Sequence, residues 1–150
     1  MSIQLSQTPN NHELFSRILV IATDDTDVTE AAETGVDVAT GYGSSLHALY
    51  VVDTAEHWDM VVERREAYGE EAVETVASIG DAHDVSVTKH FRYGNPYKEA
   101  KAYIDDHNIE LVVAPSPKYT GFDRLVNPTP LADRLSRSVD VPVLVVGPNK

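Results

Sequence analysis

Five runs of apolar and β-branched residues are separated by four stretches patterned for helix, and this alternation restricts the fold more than any other property of the chain. The runs are residues 17–23 (RILVIAT), 46–52 (LHALYVV), 85–91, 109–114 and 141–146 (VPVLVV). Most are continuously apolar, as strands covered on both faces of a parallel sheet must be. Residues 85–91 instead alternate polar and apolar, which places that strand half exposed at a sheet edge. Between the runs, Val28, Ala31, Ala32, Val36 and Ala39 recur at helical spacing across 27–40. Met60, Val61, Ala67, Ala72, Val73, Val76, Ala77 and Ile79 do so across 59–83. A third helix is opened by Gly94-Asn95-Pro96 and runs to about residue 107, and a fourth spans 129–138. Strand–helix alternation of this kind predicts an α/β fold, a doubly wound five-stranded parallel sheet with right-handed crossovers.

The length of 150 residues fits one domain. It is expected over residues 16–150, after a flexible polar arm, residues 1–15, that carries the turn signal Pro9-Asn10-Asn11. Acidic residues outnumber basic ones 24 to 12, for a net charge of −12, so the surface repels nucleic acid and anionic membranes. Five lysines against thirteen aspartates suit solubility at high ionic strength, and a halophilic source is an expectation set beside an ordinary acidic protein. The absence of cysteine excludes disulfides, thiolate metal sites and thiol nucleophiles. The first residues carry neither a basic nor an apolar leader segment, and no apolar run approaches the roughly 18 residues that span a bilayer. A cytoplasmic location without membrane partners is expected.

Ligand in such a sheet is expected at the carboxyl ends of strands one and four, where helix amino termini and unpaired N–H groups face a crevice. The loop after strand four is unusual for that role. It holds Pro115, Pro117, Pro128 and Pro130 where glycine normally lets the backbone approach a phosphate, and each proline removes a donor. Gly41-Tyr42-Gly43-Ser44-Ser45 follows a helix and precedes a strand, the order of a helix C-cap and not of a phosphate loop. Asp24, Asp25 and Asp53 at strand ends form a carboxylate set for a divalent ion on one reading, and helix caps and turns on the simpler one. The acidic pair also suits a receiver domain, but the third strand ends in Arg92-Tyr93-Gly94 without a phosphorylatable aspartate. The six histidines lack the i, i+4 spacing of a helical zinc site and are expected to be surface or packing residues. No nucleophile elbow, Walker lysine or dinucleotide fingerprint is present, and Ser116 has no base partner in sequence.

From residue 17 to residue 148 the chain resembles the universal stress protein family. Ala22-Thr23-Asp24-Asp25-Thr26 is similar to the family's first strand end, and Leu46-His47-Ala48-Leu49-Tyr50-Val51-Val52-Asp53 to its second strand. Gly94-Asn95-Pro96 matches its third helix start, and Ala132-Asp133-Arg134 through the last strand is the most specific match. The resemblance implies a three-layer sandwich of the flavodoxin-like, adenine-nucleotide alpha-hydrolase-like kind with strand order 3-2-1-4-5. It also implies a nucleotide site at Asp24, Val51, Ala114, Lys118, Thr120, Gly121 and Thr129, with Asp24 at the nucleoside end and Val51 beside the adenine. Nucleotide-binding members carry Gly-x-x-Gly and a further Gly followed by Ser or Thr. Here Pro115 and Lys118 stand at the first two glycines, and Asn127-Pro128-Thr129-Pro130 at the third region.

The reading is therefore a regulatory or interaction module of the stress response with an unidentified protein partner, no catalytic role, no metal and weak or absent ATP binding. An ATP- or AMP-binding switch using the altered loop is the alternative. An adenylyl-transferring enzyme is a second alternative, and it lacks the expected His-x-Gly-His and Lys-Met-Ser-Lys-Ser signatures. The resemblance further implies a homodimer through the final strand, from Val141 to Val146, whose open apolar edge is otherwise an aggregation hazard. Protection of that edge by Pro142 and the N-terminal arm is the competing account.

Overall fold

A computed structural model describes residues 14–23, 27–54, 59–116 and 131–147. The apolar runs become five strands, β1 (Arg17–Ala22), β2 (Ser45–Asp53), β3 (Val87–Gly94), β4 (Leu111–Pro115) and β5 (Val143–Val146). The patterned stretches become α1 (Thr29–Tyr42), α2 (Asp59–Ala82), α3 (Pro96–Asp106) and α4 (Leu131–Ser138). All pairings are parallel, and the spatial order β3-β2-β1-β4-β5 is the expected 3-2-1-4-5.

Because strand side chains alternate in direction, β1 supplies both halves of the core. Ile18, Val20 and Ala22 pack with Ala31, Ala32, Val36 and Ala39 of α1 and with Val73 and Val76 of α2. Leu19 and Ile21 pack on the opposite face with Ala100, Tyr103 and Ile104 of α3 and Leu135 of α4. The first two helices thus cover one face and the last two the other. The winding reverses between β1 and β4.

Element ends differ from the sequence reading for local reasons. Helix α1 begins at Thr29 and not at Asp27: Asp27 Oδ1 accepts the Thr29 N–H at 2.9 Å in a turn ahead of the helix, whose N-cap position is Val28. Gly43 closes that helix at φ 67°, its N–H donating to the Ala39 carbonyl, so the Gly41–Gly43 stretch is the C-cap expected. Strand β3 starts two residues later than the alternation suggests and continues to Gly94. Its pairing with β2 extends from Leu46↔Val87 to Asp53↔Gly94, which draws Arg92 and Tyr93 into the sheet. Asn95 then caps α3, Oδ1 accepting the Lys98 N–H at 3.0 Å, with Pro96 in the first turn. Strand β5 begins at Val143, although the Pro142 carbonyl already accepts the Val112 N–H at 3.0 Å. Of the expected arm, residues 1–13 lie outside the described residues. Phe15 belongs to the folded body: it packs against the core and meets the Tyr42 ring edge-on at 5.2 Å between centroids.

Candidate functional site

At the carboxyl end of the sheet, β1 and β4 do not stay paired. Val112 and Ser116 direct their N–H groups to β5, donating to the Pro142 carbonyl at 3.0 Å and the Val146 carbonyl at 2.8 Å. Alternate residues of β4 therefore face β1, and residue 115 is the next in line to donate to it. It is proline. With no N–H to give, the β1–β4 register stops at Val20↔Val113, while the β4–β5 register continues to Pro115↔Val146. The sheet is open on the β1 side of β4 at its carboxyl end. This is the switch point where ligands of such folds bind.

Of the residues expected to form a nucleotide site, Val51 and Ala114 are described and the structure brings them to one face. Val51 belongs to the cluster beneath α3 and α4 with Leu19 and Ile21, and Ala114 shares the direction of Val112, which sits in the same cluster. They flank β1 from either side and are nearly closed to solvent. Asp24, Lys118, Thr120, Gly121 and Thr129 lie outside the described residues, as does Asp25. The sequence reading passed over the way Ser116 is hemmed in. A Cβ on Gly147 would lie 2.7 Å from Ser116 Cβ, so the backbone after β5 runs directly against the exit from β4.

A second gathering of side chains sits on the same face nearer the amino ends of the strands. His47 of β2, His90 of β3 and His107 at the end of α3 have ring centroids 5.4 to 6.3 Å apart. Tyr103 ties them together. Its ring stacks on His107 at 3.8 Å, and its hydroxyl lies 2.6 Å from His47 Nδ1. The Arg92 guanidinium stands 5.3 Å from the centre of the same ring. Burial, then His107, His90 and Arg17, lower the His47 pKa, and burial, His107 and Arg92 lower that of His90. Burial pushes the Tyr103 phenol up to about 12. Sequence spacing gave no sign of this cluster, because positions 47, 90 and 107 come from three elements and meet only once the sheet is wound. Among the described residues no group of three histidine or acidic side chains is placed to hold a metal ion.

Residues 14–147 match the universal stress protein family. A universal stress protein of Methanocaldococcus jannaschii is 27% identical over 146 residues, covering 91% of this chain and 85% of its own. Among solved structures, the universal stress protein UspA from Lactobacillus plantarum superposes with a TM-score of 0.73 at 20% identity, covering 88% of this chain and 97% of that one. A universal stress protein in complex with cAMP gives a TM-score of 0.69 at 14% identity, covering 89% and 98%. The universal stress protein from Archaeoglobus fulgidus in complex with dAMP gives 0.67 at 12% identity, again covering 89% and 98%. The structural likenesses agree in fold, and the sequence match fixes the lineage: this chain belongs to the universal stress protein family.

Proposed function

We propose that the protein is a cytoplasmic, non-catalytic regulatory or interaction module of the stress response that binds ATP weakly or not at all. The observation that carries this reading is Pro115. It stands at the carboxyl end of β4, where a phosphate-binding relative needs a glycine, and it both ends the β1–β4 ladder and puts a ring where a phosphate would approach. Lys118 and the Asn127 to Pro130 segment alter the other anchors in sequence. A hydrogen bond to a charged phosphate is worth about 1.5 to 3 kcal/mol, so losing two or three lowers affinity by roughly two to six orders of magnitude.

A second reading is favoured by a separate observation. Val51 and Ala114 keep small apolar side chains on either side of β1, and two relatives were solved with cAMP and with dAMP. An adenine mononucleotide held mainly through its base, with Asp24, Lys118, Thr120, Gly121 and Thr129 at the polar end, fits that combination. Calorimetric titration at low and high salt separates the readings. Magnesium ATP is expected to give no saturable heat in the micromolar range, and micromolar affinity for it overturns the first reading. Saturation by AMP, cAMP or dAMP alone establishes the second. Release of ADP or AMP during incubation with ATP would demonstrate a catalytic activity and displace both.

The module is proposed to act as a homodimer paired through β5. This strand is a sheet edge, and Leu144 and Val145 are 41% and 45% exposed on it. The cytoplasmic assignment rests on the sequence, and no helix among the described residues is long and apolar enough to cross a membrane.

A further inference from the structure

Three imidazoles and two guanidiniums share one patch of the sheet, and their common neighbour is a buried phenol. His47 and His90 reach it from β2 and β3, and His107 from the end of α3. From β3 comes Arg92, which also pairs with Glu99 of α3 at 3.5 Å. Arg17 approaches from β1 and pairs with Glu110 at 3.3 Å. Exposed Asp105 and Asp106 flank the end of α3, and Arg134 of α4 lies over Tyr97, 4.0 Å from its ring centre, an aromatic ring nearer the start of α3. The nearer carboxylates thus have arginine partners, and the histidines face one another.

Tyr103 converts this crowding into a contact that depends on protons. A phenol that keeps its proton to about pH 12 donates its O–H to His47 Nδ1 whenever that nitrogen is bare. A proton on His47 reverses the roles, since both ring nitrogens of an imidazolium are donors. The O–H must then turn away from a site where Tyr103 is fully buried. A second positive ring at His90 stands 5.1 Å from the same phenol centroid, while the His107 ring is stacked on it at 3.8 Å. Repulsion between like charges at these separations adds to the cost in this half-buried patch.

We propose that His47, His90, His107 and Tyr103 form a proton-operated latch that holds the carboxyl end of α3 on the β2–β3 edge near neutral pH and releases it in mild acid. Helix α3 is suited to such a device, since its other end is fixed separately by the Asn95 cap. The latch lies toward the amino ends of the strands and so acts apart from the crevice at their carboxyl ends. The depressed proton affinities of His47 and His90 agree with the direction of release.

Hydrogen exchange followed by mass spectrometry on the intact chain, corrected for intrinsic rates, tests the latch between pH 7.5 and pH 5.5. Linkage changes an opening constant by up to about tenfold per pH unit for each proton taken up on opening. Protection of residues 103–109 is therefore expected to fall about tenfold in acid, while α1 keeps its protection. The double variant His47→Gln, His90→Gln is expected to lose that pH dependence. Protection that is independent of pH, a loss spread evenly over the chain, or an unchanged loss in the variant overturns the proposal. Should the variant not fold, an NMR titration of the wild-type imidazoles decides. Titration of His47 and His90 below the ordinary 6.5, in step with amide changes at residues 103–109, supports the latch, and titration at or above that value overturns it.

Discussion

At the scale of single residues, the sharpest constraints come from backbone that approaches a ring or a neighbouring strand too closely for a side chain. Gly69 in α2 faces the buried Tyr50 ring, where a Cβ would lie 2.1 Å from Cδ2. Two effects compete on replacing it with alanine. Helix propensity favours alanine by about 1 kcal/mol, while forced overpacking of a closed core costs about 1 to 3 kcal/mol. The ring has little room to move aside, because Phe91, its register partner on β3, stands 5.7 Å away on the same face, centroid to centroid. Gly69→Ala is therefore expected to lower the urea midpoint with an unchanged slope, and a stabilised variant would show that Tyr50 moves freely. Pro115 belongs at this scale too. The sequence announced it as a lost donor, but the strand that loses the bond became visible only when the N–H directions of Val112 and Ser116 were known.

At the scale of elements, α3 rests on its cap and β5 on its edge. Asn95→Ala removes the acceptor for the Lys98 N–H and is expected to cost about 1 kcal/mol, measured by chemical denaturation. Leu144→Lys places a charge on the exposed face of β5 and is expected to turn the proposed dimer into a monomer in sedimentation velocity without loss of helical signal. A wild-type monomer at millimolar concentration would refute the pairing. Strand and helix identities were legible in the sequence because burial on both faces demands unbroken runs such as ILVI at residues 18–21, and alanine spacing marks α1. Their ends were less legible. Asp27 looks like a first helical residue from composition and instead closes a turn ahead of the helix, and Tyr93 is drawn into β3 only by pairing with Val52. Of the residues expected at the nucleotide site, Val51 and Ala114 are buried on one face of the sheet, whereas the histidine cluster left no trace in linear spacing.

At the scale of the whole molecule, charge and titration govern response to conditions. A net charge of −12 repels itself most at low ionic strength, and the Debye length shrinks from about 10 Å at 0.1 M to about 3 Å at 1 M salt. The melting temperature is expected to rise with potassium chloride over that range, and a steady fall would exclude the halophilic reading. Alkaline pH acts through Tyr103. Its phenol titrates at about 12 when folded and at 10.0 otherwise, so above pH 10 the unfolded chain gives up a proton that the folded one retains. Stability is then lost as pH climbs from 10 to about 12, and the loss should be smaller in Tyr103→Phe when followed by thermal melts at pH 9 to 11.5.

The two margins of the sheet are unlike, and in the proposed dimer this asymmetry would limit how many copies can assemble. The margin at β3 carries exposed Thr88, Lys89 and Tyr93, with Lys89 bound to Glu74 at 2.8 Å and Tyr93 to Glu66 at 2.7 Å, so long polar side chains guard it. The margin at β5 carries valine and leucine. Pairing of β5 with β5 across a two-fold axis uses up the adhesive margin of both copies and leaves only guarded ones outside. In the proposed dimer growth would stop at two, the apolar open strand of each copy closed against the other and only guarded margins left outside.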